Sequence, residues 1–112
     1  MDKMINLVFS HADQAHIQHL ASESYAEHMA LGEFYDTARK AVDAIVEASI
    51  GLDMPPPAKV RPPILQQLEE GYVDLVEMRD EVCAGASVLE NLFDNLTAAY
   101  ATAIYKLKRF KK

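Results

Sequence analysis

The sequence predicts an all-α protein, an antiparallel four-helix bundle, and three observations carry that expectation. Apolar residues recur at three- and four-residue spacing in four separate stretches of the 112 residues. Two capping-box patterns, Ser24-Tyr-Ala-Glu27 and Ser87-Val-Leu-Glu90, stand where two of those stretches begin. No stretch alternates in the manner of a half-buried strand, and no internal repeat or low-complexity segment competes.

The first helix is expected over about residues 3–21, because Met4, Ile5, Val8, Ala12 and Ala15 fall on one face, with Leu20 extending it. The box at Ser24 opens the second, whose apolar stripe reads Leu31, Phe34, Ala38, Ala41, Val42, Ile45 and Ala48 before Gly51 stops it. Five prolines then fall within nine residues, Pro55 to Pro63, and exclude both helix and strand. Pro63 suits the first turn of a third helix with Ile64 or Leu65, Leu68, Tyr72, Leu75, Val76 and Val82 inward. Ala84-Gly85-Ala86 breaks it. Ser87 caps a fourth helix that turns Leu89, Phe93, Leu96, Tyr100, Ile104 and Leu107 inward. One domain, 1–112, is therefore expected: a helical hairpin at 3–51, a proline-rich connector at 52–63 and a second hairpin at 64–110. Short or stiff joints make the antiparallel bundle the default.

Composition narrows the setting. Half the residues are hydrophobic, enough for one modest core of the size that often gains stability by oligomerising. No apolar run approaches the roughly 18 residues of a membrane span, and Met1 to Asn6 lacks the layout of a signal peptide, so a cytoplasmic protein is expected. The single Cys83 forms no internal disulfide and reads as a small buried hydrophobe. The net charge is −6, yet Lys106, Lys108, Arg109, Lys111 and Lys112 place five cations at the end of the chain, leaving six Lys and Arg against 17 Asp and Glu elsewhere. An acidic body repels nucleic acid and attracts cations, so nucleic acid is expected only through the basic tail. Cations at a helix C-terminus also complement its dipole, and that is the plainer account of the tail.

On the second helix a polar line runs opposite part of the apolar stripe: His28, Gly32, Asp36, Arg39, Asp43 and Glu47. His28 and Asp43 are 15 positions apart, about 22 Å of helix, so they cannot share one ion within a chain when metal–ligand bonds are about 2 Å long. Two copies crossing with these helices antiparallel bring His28 of one to Asp43 and Glu47 of the other, and symmetry then makes a second site. The plain alternative is that His16 and His28 are partly buried and bonded to Glu or backbone groups, with Asp43 and Glu47 as ordinary surface acids. His19, one turn after His16, is a candidate accessory ligand, although such residues more often lie in solvent.

The run from His16 to Glu47 resembles the mini-ferritins, small ferritin-like proteins. His16 and His28 keep that family's spacing of 12, and Asp43-x-x-x-Glu47 lies 15 and 19 beyond His28 as its carboxylates do. Leu31, Phe34 and Ala38 fall where the family packs its second helix. The resemblance implies a ferritin-like bundle, a homo-oligomer joined through the second helix, and an intersubunit iron site of His16, His28, Asp43 and Glu47. The chain departs at Gly32, where the pattern places an aspartate; what is implied is thus metal affinity more than ferroxidase activity. Tyr25 to Tyr35 and Tyr105 to Lys108 look like a shorter, phage-encoded ferritin-like family, in which glycine at position 32 would be the rule. Two imidazoles with one or two carboxylates suit iron, and zinc or manganese as well.

A second function class stays open beside this one: a non-catalytic phage accessory or counter-defence protein that binds a nucleotide signal or a host protein. Arg39, Lys40, Lys59 and Arg61 are the cations such a ligand would need to find converging. Tyr25, Tyr35, Tyr72, Tyr100 and Tyr105 are expected to anchor packing with their hydroxyls at the edge. No phosphate-binding glycine loop and no paired cysteines for zinc are present.

Overall fold

A computed structural model describes residues 1–110, and in them the chain is all-α with four helices: α1 Asp2–Ala21, α2 Tyr25–Gly51, α3 Ile64–Cys83 and α4 Ser87–Arg109. Lys111 and Lys112, the last two cations of the basic tail, lie outside the described residues. The chain divides into two compact units, residues 1–58 and the part from residue 59 onward. Each is an antiparallel helical hairpin. None of the described helices is long and apolar enough to cross a membrane.

In the first unit the turn between α1 and α2 is three residues long, and its hydrogen bonds follow from its serines. Ser24 caps α2 by accepting from the Glu27 amide at 3.3 Å, as the box predicts, and Ser22 closes the turn through its hydroxyl, which accepts from the Ser24 amide at 3.1 Å. Gln18 reaches across to the Glu27 carboxylate at 3.2 Å. Hydrogen bonds from Ser22 and then Gln18 hold the Glu27 carboxyl below its ordinary value. At the far end Gly51 is the last residue of α2 rather than its stop, and the Leu52 amide closes the helix on the Ala48 and Ser49 carbonyls.

The predicted face of α1 is kept for Met4, Ile5, Val8, Ala12 and Ala15, but Leu20 is 74 % exposed. The larger correction is on α2. The residues turned toward α1 are His28, Leu31, Gly32, Tyr35, Ala38, Arg39, Val42, Val46 and Ser49, whereas Phe34 and Ile45 are 46 % and 48 % exposed. At 100° per residue the buried stripe is turned by about 80° from the one read off the apolar residues. Across the three-residue turn the ends of α1 and α2 meet where His19 and His28 stand.

In the second unit Leu65, Leu68, Tyr72, Leu75 and Cys83 of α3 face Phe93, Tyr100 and Ile104 of α4, and Cys83 is fully buried. Of Ile64 or Leu65 it is Leu65 that turns inward, whereas Val76 and Val82, expected inward, are exposed, as are Leu89, Leu96 and Leu107. Tyr25 and Tyr105, expected to anchor packing, are exposed as well. The fourth helix begins at Ser87 with Ala86 at the cap position, so the predicted Ser87 cap is displaced by one residue and makes no capping bond. Pro63 likewise stands at the cap of α3, not in its first turn. Ala84 and Gly85 turn the chain with φ of 50° and 77°. Arg79 fastens the hairpin by gripping Asp94 with two bonds of 2.8 and 3.0 Å.

Candidate functional site

The polar side chains of the first hairpin gather at its closed end. His19 comes from the last turn of α1 and His28 from the first turn of α2, and each ring meets the other residue's backbone. His28 Nδ1 lies 2.8 Å from the His19 carbonyl, and His19 Nδ1 lies 2.5 Å from the His28 carbonyl. The His19 carbonyl is one of the last four of α1 and has no partner within that helix, so the His28 imidazole completes the helix end. A carbonyl only accepts. Each Nδ1 must therefore carry the proton, which leaves each Nε2 with a lone pair in the neutral ring.

The two rings are stacked, with centroids 3.6 Å apart and planes 18° from parallel. Gly32 makes room for this arrangement. A Cβ at position 32 would stand 3.1 Å from His19 Cε1 and 3.3 Å from His19 Nδ1, closer than ordinary carbon contacts of about 3.5–4.0 Å. The chain leads on from there through Tyr35. His16 stacks on it at 4.0 Å, His19 meets it edge-on at 5.4 Å, and the Arg39 guanidinium lies 5.4 Å from its ring centre, within cation–π range. Arg39 in turn binds Asp13 of α1 at 2.6 Å. Three imidazoles, one phenol ring and one ion pair thus form a continuous row along the α1–α2 seam.

Of the four residues that the sequence marks as ligands, His16 and His28 enter this row and Asp43 and Glu47 do not. Both carboxylates are exposed on the flank of α2, and neither takes part in an ion pair among the described residues. Because α2 is unbroken from Tyr25 to Gly51, the separation of about 22 Å between His28 and Asp43 stands. Among the described residues no group of three or more His, Cys, Asp or Glu side chains could hold a metal ion within the chain. The closed end of the hairpin therefore gathers imidazole donors, with the nearby Glu27 carboxylate taken up by Gln18 at 3.2 Å.

His19, a candidate accessory ligand by its sequence position, is central in the structure. A signal was available: folding the chain about the Ser22–Ser24 turn sets residue 19 opposite residue 28, and the glycine one turn beyond His28 gives a ring somewhere to go. The cations proposed for an anionic ligand are split. Arg39 is committed to Asp13 and Lys40 to Asp36 at 2.8 Å, a bond that raises the Lys40 pKa. Lys59 and Arg61 belong to the second unit and line a cleft there with Lys106.

Residues 19–107 match the model of a family described as a family of unknown function, DUF5856. No curated protein and no solved structure matches the chain.

Proposed function

The chain belongs to the DUF5856 family, and we propose that it is a homo-oligomeric metal-binding protein, with iron as the expected ion, whose site is shared between two copies. His16 and His28 of one copy and Asp43 and Glu47 of the other would hold the metal. The observation that carries this reading is the bond between His28 Nδ1 and the His19 carbonyl at 2.8 Å. Metal-binding histidines almost always donate their second ring nitrogen to a carbonyl or carboxylate, which fixes the tautomer and directs the other lone pair at the metal. The exposed positions of Asp43 and Glu47 on α2 leave both carboxylates accessible to a second copy.

Gly32 gains a physical reason under this reading. The ferritin-like pattern has a carboxylate at that position, and here the His19 ring occupies the adjoining space. His19 thus adds an imidazole where the pattern has lost an acid, so the donor set becomes richer in nitrogen. Such a set still suits Fe(II), and it suits zinc too. Bound iron would supply redox chemistry; the chain supplies rigid helix-borne donors and a seam that orients them. A ferritin-like bundle, a cytoplasmic setting and a phage origin belong to the same proposal.

The test is Fe(II) binding by anaerobically purified protein, alone and as variants. His28→Ala and Asp43→Ala should each abolish binding while circular dichroism shows the helices retained, and Lys40→Gln should bind as the wild type does. Mixing the two deficient variants should restore binding, because a mixed pair contains one complete site. Failure of the mixture to recover any binding would refute a shared site, and equal binding by all variants would refute the ligand assignment.

A further inference from the structure

The second hairpin carries a cleft of about 880 Å³ that the metal reading leaves unused. One wall is the chain entering α3 and the other is the end of α4. Val60, Ile64, Leu107 and Phe110 give it an apolar surface, and all four side chains remain substantially exposed. Its size lies within the range of roughly 300–1,000 Å³ typical of small-molecule sites, which combine apolar walls with a few polar groups that orient the ligand.

Its charge is what singles it out. Lys59, Arg61 and Lys106 line the cleft, and among the described residues no acidic side chain does. These are three of the 11 Lys and Arg in a chain with 17 Asp and Glu. Among the described residues none of the three is in an ion pair, whereas the neighbouring Lys108 is held by Glu69 at 3.0 Å. A nearby acid was therefore available to α4, and it is spent on a residue outside the cleft. Lysine and arginine stems also extend apolar surface while their heads stay in water, so the three cations rim the apolar wall without breaking it.

From this convergence we infer that the α3–α4 cleft binds a small amphiphilic organic anion, a molecule with an apolar body seated against Ile64, Leu107 and Phe110 and a carboxylate or phosphate head met by Lys59, Arg61 and Lys106. The apolar wall supplies most of the buried surface. The cations select sign, and Arg61 can grip a planar carboxylate or a phosphate through two parallel bonds. This site is independent of the metal reading and shares no residue with it.

The probe is decanoate below its micelle concentration, compared with decanol and decyltrimethylammonium, on the full-length protein by isothermal titration and by amide shifts in NMR. Decanoate should bind with shifts centred on Ile64, Leu107 and Phe110, at least tenfold tighter than decanol, with decyltrimethylammonium weakest. The combined Lys59→Gln, Arg61→Gln and Lys106→Gln variant should lose that preference for the anion and keep its affinity for decanol, and Lys40→Gln should change nothing. Raised salt should weaken decanoate alone. Equal binding of the three probes, or no shift at these residues, would overturn the inference. So would binding to phosphatidylglycerol vesicles without binding to monomeric decanoate, which would make the cleft a lipid-surface contact. Shifts that follow protein concentration in place of decanoate would assign it to a second copy of the chain.

Discussion

Placing an alanine at position 32 sets two effects of known size against each other. Gly32 lies inside α2, where alanine is favoured over glycine by about 1 kcal/mol. The added Cβ, however, meets His19 at 3.1 and 3.3 Å, so the ring must recede by a few tenths of an ångström. It has little freedom to do so, being stacked on His28 at 3.6 Å and bonded through Nδ1 to the His28 carbonyl. Overpacking of a fitted site costs roughly 1–3 kcal/mol, and a lost hydrogen bond about 0.5–1.5. Taking about 2 kcal/mol for the combined loss, Gly32→Ala should destabilise the protein by about 1 kcal/mol. With His19→Ala already in place the obstacle is gone, and the same change should stabilise by about 1 kcal/mol. Urea unfolding of the wild type, both single variants and the double variant measures the difference. The coupling of about 2 kcal/mol would stand well clear of the roughly 0.3–0.5 kcal/mol expected between independent sites. If Gly32→Ala stabilises equally in both backgrounds, the ring yields freely and Gly32 is not there to seat it.

Three further outcomes follow from particular residues. The Arg79 guanidinium holds the Asp94 carboxyl below its ordinary value, chiefly by hydrogen bonding. A group with a depressed folded pKa adds stability above its unfolded value near 4 and loses it as the pH falls through the folded value. Arg79→Gln should therefore lower the urea midpoint at pH 7 and show a smaller deficit at pH 3, and an equal deficit at both would contradict the pairing. Ala84 holds φ of 50°, a conformation that costs a side chain about 1–2 kcal/mol. Allowing for the greater freedom of glycine in the unfolded chain, Ala84→Gly should stabilise by about 0.5–1 kcal/mol, and thermal unfolding decides it. Sedimentation at micromolar concentration should give a mass at least twice the 12.5 kDa of one chain, and a monomer would remove the shared metal site.

Helix number and limits were legible because they rest on local signals. Periodic apolar residues, the Ser24 cap and the proline cluster each act within a few residues, and together they bound α1 to α4 closely. Which way each helix turns was less legible, since the apolar stripe of α2 is broad. Leu31, Phe34, Ala38, Ala41, Val42 and Ile45 span an arc wide enough for a partner to use either edge. The hairpin uses the edge that carries His28. His16 and His28 stood out because a family pattern includes them. His19 did not, as nothing in its own helix marks it; its role comes from a stack with a residue nine positions away and from a missing side chain at position 32. Asp43 and Glu47 lie exposed on the flank of α2, and under the proposed shared site their role would come from a second chain.

Under the proposed shared site, the rotation of α2 would link the site to assembly. By turning His28, Gly32, Tyr35 and Arg39 into the seam, the hairpin gives up aliphatic contacts and gains polar ones. Among the described residues no fully buried side-chain nitrogen or oxygen lacks a partner. The same rotation leaves Phe34 and Ile45 about half exposed on the hairpin. Fully burying one such side chain is worth about 1.5–3 kcal/mol, so covering what remains exposed of the two contributes about 2 kcal/mol. A seam built from aliphatic residues would have enclosed that edge within the hairpin and left no room for imidazoles. Histidines in the seam and an apolar edge awaiting cover are thus two consequences of one geometric choice. Under the proposed shared site, a change that rotates α2 back should weaken metal binding and self-association together.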